Sequence, residues 1–97
     1  MKAKLENMNK RTQKLAVSNY HTELLQLFLE PWGEDYYLQA GATFEVVAEG
    51  TEDNFHFTVT LPNSEMVTVW VDGTFSDISV QHEGTALVCG HNRPPGP

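Results

Sequence analysis

Most of the chain alternates between apolar and polar positions with a period of two. In the clearest segment, residues 55–61, four apolar side chains share one face: Phe55, Phe57, Val59 and Leu61. Successive side chains of a β-strand point to opposite sides of the sheet, so this alternation predicts a strand with one buried face. Residues 66–71 repeat the pattern with three valines on one face: Val67, Val69 and Val71.

These two segments are expected to pair in a register that brings both apolar faces to the same core. Leu61 or Val59 then lies opposite Val67, because a shift of one residue would bury the threonines instead. In either register Thr58 and Thr60 fall beside Thr68 or Trp70 on the outer face, where cross-strand pairs add stability.

The remaining segments give the same kind of pattern, separated by turn residues such as Pro31-Trp32-Gly33, Gly41 and Asp72-Gly73. Residues 24–29 are apolar on both faces, which predicts a central strand; a helix over 22–30 is the competing interpretation. Seven or eight short strands about ten residues apart predict an all-β domain. A small antiparallel β-sandwich is expected, with a small β-barrel as the alternative.

The 97-residue chain has a formal net charge of −7, and its charged residues are distributed unevenly. The first fourteen residues contain five of the six basic side chains and a single acid, Glu6, whereas the remainder opposes twelve acids with Arg93 alone. We therefore expect a basic N-terminal arm over residues 1–13, flexible or forming a short helix. The sandwich domain is expected over 14–90, followed by a Pro/Gly-rich tail over 91–97.

The same charge distribution limits the partners. An acidic body repels phosphate backbones, which argues against nucleic acid. No apolar run is long enough for a membrane helix, and the N-terminus lacks the apolar core of a signal peptide. The single cysteine cannot form an internal disulfide. A cytoplasmic protein without a membrane partner is therefore expected.

Three residues near the C-terminus have side chains that bind metals: His82, Cys89 and His91. Imidazole and thiolate suit zinc or copper, and the three residues lie within one hairpin of each other. A structural zinc site needs four ligands, however, and paired Cys-x-x-Cys spacing is absent. We therefore expect no metal and no cofactor, and interpret these residues as a small cysteine beside surface histidines.

Catalytic motifs are also absent. The serines do not lie in a G-x-S-x-G turn, there is no phosphate-binding glycine loop, and the acidic turns lack the EF-hand spacing for calcium. Cys89 and a histidine could form a dyad, but no helix is predicted that would lower the thiol pKa. The chain is not expected to be an enzyme.

Aromatic side chains are the more informative candidates. Trp32 lies in a turn, Tyr36 in a short strand, and Trp70 on the polar face of its strand. Exposed aromatic rings can stack on sugars or anchor a protein partner, so these three residues are the predicted contact residues. The alternative is that Trp32 closes an end of the sandwich and Trp70 covers the outer sheet face.

The run from Asn19 to Gly33, which contains a Leu-rich strand and a Glu-Pro-Trp-Gly turn, is followed by a glycine turn at Gly41 and a strand from Phe44. This pattern resembles small uncharacterised bacterial β-sandwich proteins of immunoglobulin-like type. The resemblance covers about a third of the chain and implies the fold, with no activity attached to it.

Two functions from different classes follow from these features. The first is a non-enzymatic module that binds a protein, most simply a second copy of itself as a homodimer. The second is a small-ligand domain that binds carbohydrate or metal at the aromatic, acidic or His/Cys positions.

Overall fold

The computed structural model describes residues 11–50 and 55–96, and within them eight β-strands form two four-stranded sheets without any helix. The strands are β1 (Arg11–Ser18), β2 (Leu25–Glu30), β3 (Glu34–Leu38), β4 (Thr43–Gly50), β5 (His56–Asn63), β6 (Met66–Asp72), β7 (Asp77–His82) and β8 (Thr85–Ala86). The first sheet has the order β1-β4-β7-β8 and the second the order β3-β2-β6-β5. Neither sheet closes on itself, so the all-β sandwich is confirmed and the barrel alternative is wrong.

Neighbouring strands are antiparallel with one exception in the described residues. β2 and β6 run parallel, with Gln26 opposite Met66 and Glu30 opposite Trp70. The expected antiparallel sandwich therefore contains one parallel pair that the sequence did not predict. Residue alternation decides which face of a strand is buried but says nothing about the direction of a neighbour that lies forty residues away.

β5 and β6 pair in one of the two expected registers. Thr58 lies opposite Trp70, Val59 opposite Val69 and Thr60 opposite Thr68, which is the expected register as far as Thr60. The register then shifts between Thr60 and Asn63. This confirms both the pairing and the outer-face neighbours that the alternation predicts.

The core lies between the sheets and contains the apolar side chains of alternate positions. β2 is a central strand, as expected, with Leu25, Leu27 and Leu29 buried. The other buried apolar residues of this cluster are Tyr36, Leu38, Phe44, Val46, Ala48, Phe55, Val67, Val69, Val71 and Val80. Each fully buried Leu, Val or Phe side chain stabilises the fold by about 1.5–3 kcal/mol.

The domain begins earlier than the sequence suggests. β1 starts at Arg11, and residues 11–13, expected in the arm, pair with Gly50, Glu49 and Ala48. Thr12 is exposed and Gln13 bonds to the backbone of Phe55, so neither position carries an apolar side chain, which explains why the apolar pattern did not reveal them. The arm interpretation of residues 1–10 lies outside the described residues.

Candidate interaction site

The two edges of the second sheet differ in what lies beside them. At one edge, the backbone that follows β8 runs along β3. The amide of Tyr37 donates to the carbonyl of His91 over 2.9 Å, and the amide of Gly90 donates to the carbonyl of Asp35 over 2.6 Å. We call this the closed edge: β3 with residues 87–93.

A polar cluster around Asp35 fastens the closed edge. The Arg93 guanidinium donates from Nε to Oδ2 over 2.9 Å and from Nη2 to Oδ1. The Tyr37 hydroxyl donates to Oδ2 over 3.2 Å, and the Cys89 thiol lies 3.4 Å from Oδ1. The Arg93 hydrogen bonds lower the pKa of Asp35 to about 2 despite its burial, and Asp35 in turn raises the pKa of Arg93.

The contacts of residues 91–93 with β3 show that the tail begins later than predicted. His91, Asn92 and Arg93 were expected in a Pro/Gly-rich tail, yet each bonds to β3 or its side chains; Asn92 Nδ2 donates to the carbonyl of Tyr37 over 3.2 Å. The segment outside the sandwich therefore begins at Pro94. A carboxylate that accepts hydrogen bonds from one arginine at both oxygens stays ionised. We therefore interpret this cluster as a structural contact that stabilises the closed edge, and not as an acid–base pair.

The three candidate metal ligands are not assembled. The rings of His82 and His91 both pack on Phe44, with centroid distances of 5.3 and 5.8 Å. Cys89 instead faces Asp35. Among residues 11–50 and 55–96, no three His, Cys, Asp or Glu side chains are grouped so that they could hold a metal ion.

Tyr36, one of the three predicted contact residues, belongs to the core. Its side chain is 4 % exposed, and its hydroxyl donates to Glu34 over 2.9 Å. Burial, followed by the Glu34 hydrogen bond, raises the pKa of this hydroxyl above its usual range. The prediction that Tyr36 contacts a partner is wrong, because its position places it on the same face of β3 as the buried Leu38.

Trp32 and Trp70 remain accessible in different places. Trp32 meets Phe75 edge-on with ring centroids 5.5 Å apart, so it partly covers one end of the sandwich. Trp70 is 38 % exposed on the outer face of β6, opposite Thr58 on one side and Glu30 on the other. Phe28 and Tyr37 occupy the same outer face on β2 and β3, which sequence reasoning missed.

Those three outer-face rings follow a diagonal across neighbouring strands. Phe28 lies opposite Thr68 and Asp35, two residues from Trp70 and Tyr37 respectively. A shallow groove of about 480 Å³ begins beside this diagonal, between Leu24, Gln26, Tyr37, Glu65 and Pro94 with Thr22 and Glu23. The arrangement resembles a flat aromatic surface rather than an enclosed pocket.

The other edge of the sandwich exposes apolar side chains that belong to the core face. We call it the open edge: β1 of the first sheet and β5 of the second. Gln13 Nε2 donates to the carbonyl of Phe55 over 3.0 Å and joins the two sheets at one end. Further along β5, Val59 is 45 % exposed and Leu61 is 74 % exposed.

A groove of about 300 Å³ continues the open edge between the sheets. Its apolar walls come from four strands: Val17, Leu25, Leu61, Met66 and Val67. Tyr20, which is almost fully exposed, and His21 stand at its rim. Contiguous exposed apolar surface of this kind is typical of interaction sites.

The side chain of Asn19 stabilises the backbone conformation at this end of the open edge. It is fully buried, and its Nδ2 donates to the carbonyls of Glu23 and Leu38 over 2.7 and 2.9 Å. Its Oδ1 accepts the amide of His21. The sequence indicated only that a turn begins here; the full set of partners depends on β3, which comes from a distant part of the chain.

Comparison with known proteins adds no relative: no family model, no curated protein and no solved structure matches the chain. The resemblance to bacterial immunoglobulin-like sandwiches therefore stays a prediction. Within the residues that the structure covers, no helix is long and apolar enough to span a membrane.

Proposed function

We propose that this domain is a non-enzymatic interaction module that forms a homodimer through its open edge. The observation that carries the proposal is the exposure of Val59, which lies on the core face of β5, and of Leu61, which lines the neighbouring groove at the register shift. Apolar side chains on a core face are normally covered by the opposite sheet. Here the described residues provide no cover, and burial of a leucine of this kind contributes about 1.5–3 kcal/mol.

The shape of β5 favours contact through its apolar face over contact through its edge. Pro62 lacks a backbone donor, and the register shift between Thr60 and Asn63 bends the strand. Both features hinder the addition of a further strand beside β5. A partner is therefore expected to lie on Val59 and Leu61 and to enter the neighbouring groove.

The rest of the molecule supports a binding role without catalysis. Asp35 is the carboxyl group whose pKa is lowered most clearly among the described residues, and Arg93 already neutralises it. A cytoplasmic location, with neither nucleic acid nor membrane as partner, belongs to the same proposal and rests on the acidic body and the single cysteine.

Sedimentation equilibrium of the full chain at several protein and salt concentrations tests the dimer. Leu61→Lys is expected to weaken association at least about tenfold, which corresponds to burial of one leucine. Val88→Lys is the matched control, since Val88 is 80 % exposed within the closed edge. A wild-type chain that stays monomeric throughout would contradict the proposal, as would equal effects of the two substitutions.

A second candidate function is the binding of a small ligand such as a carbohydrate on the outer face of the second sheet. The diagonal of Phe28, Tyr37 and Trp70 favours it, because sugar rings stack on flat aromatic surfaces. Calorimetric titration with a panel of soluble oligosaccharides tests it. Binding that Trp70→Ala abolishes and Trp32→Ala leaves intact would support it, and absence of binding to the panel would count against it.

A further inference from the structure

The outer face of the second sheet twice places a carboxylate opposite an aromatic ring. Asp35 of β3 lies opposite Phe28 of β2, and Glu30 of β2 lies opposite Trp70 of β6. Side chains directly opposite each other on one face of neighbouring strands are close enough to contact the same ligand. The two pairs are therefore comparable, and they differ in whether a cation is bound beside them.

At the first pair, the chain binds an arginine of its own. Arg93 donates from Nε to Oδ2 of Asp35 over 2.9 Å and from Nη2 to Oδ1. The hydroxyl of Tyr37 donates to the same Oδ2 over 3.2 Å. Arg93 itself lies outside the strands. This pair therefore shows that the outer face can hold a guanidinium from a segment that only lies against the sheet.

The second pair has no bound cation among the described residues. The side chain of Trp70 is 38 % exposed, Glu30 is partly exposed, and no described side chain donates to the Glu30 carboxylate. Of the described lysines and arginines other than Arg93, Arg11 and Lys14 lie in β1 of the first sheet, on the far side of the core. A carboxylate and an aromatic ring are therefore both accessible here to a cation from another molecule.

A second carboxylate flanks Trp70 from the β5 side. Asp72 lies two residues further along the same face of β6, opposite His56. Its Oδ2 accepts the hydroxyl of Thr58 over 2.9 Å, and Thr58 lies opposite Trp70, so the carboxylate inclines back toward the ring. The imidazole Nε2 of His56 lies 3.6 Å from the same oxygen, but both side chains are exposed and the contact is weak. Trp70 therefore has an acidic side chain on either flank, Glu30 and Asp72.

This arrangement favours an arginine as the ligand. A guanidinium is planar, so it can stack on an indole ring while its N–H groups donate to a carboxylate beside the ring. The negative charges attract a cation and repel phosphates and other anions. A neutral sugar could stack on Trp70, but the charges would not attract it.

We propose that Glu30, Trp70 and Asp72 bind an arginine side chain from a basic segment of a partner protein. The guanidinium lies on the Trp70 ring and donates to Glu30, and Asp72 adds negative charge on the other flank. The contact repeats between two proteins what Arg93 does within this chain at Asp35. It uses the outer face of the sheet and not the groove of the open edge, so it does not depend on the proposed dimer.

NMR titration of the full chain tests the ligand. The probe is an acetylated and amidated Gly-Arg-Gly-Arg-Gly peptide, and the matched control replaces both arginines by citrulline, which is neutral and similar in shape. The indole N–H signal of Trp70 is expected to shift saturably with the arginine peptide, more weakly as salt is added, and to stay in place with the citrulline peptide. Equal shifts with both peptides, no shift with either, or a shift of the Trp32 indole alone would overturn the proposal. A shift of Trp70 with a soluble oligosaccharide but not with the arginine peptide would overturn it in favour of carbohydrate binding.

Substitutions test which side chains form the site. Trp70→Leu, which keeps an apolar side chain, and Glu30→Gln, which removes the charge, are each expected to weaken binding of the arginine peptide about two- to fivefold. Trp32→Leu and Glu83→Gln are the matched controls and should leave binding unchanged, since Trp32 packs on Phe75 and Glu83 is exposed in the turn before β8. The amide spectrum of each variant reports whether its fold is intact. Equal losses in the controls and the test variants would overturn the site, whereas sedimentation decides separately whether the proposed dimer stands.

Discussion

β3 and β5 are the two edge strands of the second sheet, and each carries a leucine: Leu38 lies in the core, and Leu61 lines the groove at the open edge. Leu38 of β3 has 0 % exposure, whereas Leu61 of β5 has 74 %. Apolar and polar residues alternate clearly in β5, whereas β3 carries two consecutive tyrosines and does not alternate strictly. The difference lies in what covers them, since residues 90–93 bond to β3 and no described segment runs along the free side of β5.

This contrast shows how a small sandwich can protect one edge and leave the other available. Exposed strand edges invite pairing with other chains, so proteins usually cover, bend or charge them. At the closed edge, backbone hydrogen bonds and the Arg93–Asp35 ion pair provide that cover. At the open edge, the bend at Pro62 discourages pairing along β5 but leaves its apolar face accessible.

The largest expected effect distinguishes the two leucines directly. Leu38→Ala should lower the free energy of unfolding by about 2–5 kcal/mol, because it leaves a cavity in the core. Leu61→Ala should change it by no more than about 0.5 kcal/mol, because its side chain is already solvated. Urea denaturation at protein concentrations low enough to avoid association measures both. Similar losses for the two variants would mean that the open edge is covered within one copy.

The second-largest effect is expected when the hydrogen bonds around Asp35 at the closed edge are removed. Asp35→Ala should lower the free energy of unfolding by about 1–3 kcal/mol, since it deletes the acceptor for charged and neutral donors at once. Glu65→Ala, at an exposed turn, is the control and should change it little. The same denaturation measurement applies. An equal response of the two variants would show that the cluster around Asp35 does not stabilise the edge.

The strand positions and the register of β5 and β6 were predictable because they depend on local alternation. The exposure of Val59 and Leu61 was not, because burial of a core face depends on how far the opposite sheet extends. The direction of β2 relative to β6 could not be predicted from alternation either, because β3, β4 and β5 lie between the two strands in the chain.

One feature of the sequence indicated a contact at the closed edge. Arg93 is the single basic residue after Lys14, and it lies in a segment rich in proline and glycine. A lone cation at the end of an acidic domain has many possible carboxylate partners, so its presence indicated an ion pair without naming Asp35. Identification of the partner required β3 and residues 87–93 to be placed side by side.

The third effect is the acid sensitivity of the closed edge. The folded-state pKa of Asp35 is lowered from 3.8 to about 2, chiefly by Arg93. A lowered pKa means that the carboxylate contributes stability above the unfolded value near 3.8, and that this contribution disappears as the pH falls towards 2. The stability difference between wild type and Asp35→Asn should therefore be constant from pH 7 to pH 5 and shrink from pH 4 to pH 2. Urea denaturation across this range measures it, and a difference as large at pH 2 as at pH 5 would contradict it.

The smallest effect is local and separates the two edges without unfolding either of them. Arg93→Ala should loosen residues 87–93 while the core persists, because Arg93 contacts the outer face of β3 through Asp35 and its own side chain is about half exposed. Amide hydrogen exchange followed by NMR should then accelerate at Tyr37 and Gly90, whose amides bond across the closed edge, and stay unchanged at Val69 in the centre of the second sheet. Arg93→Lys should lie between the two, because lysine keeps the charge but cannot bind both carboxylate oxygens in the same planar way. Faster exchange at Val69 as well would show that the Arg93–Asp35 ion pair stabilises the whole sandwich. The closed edge would then not unfold separately from the core.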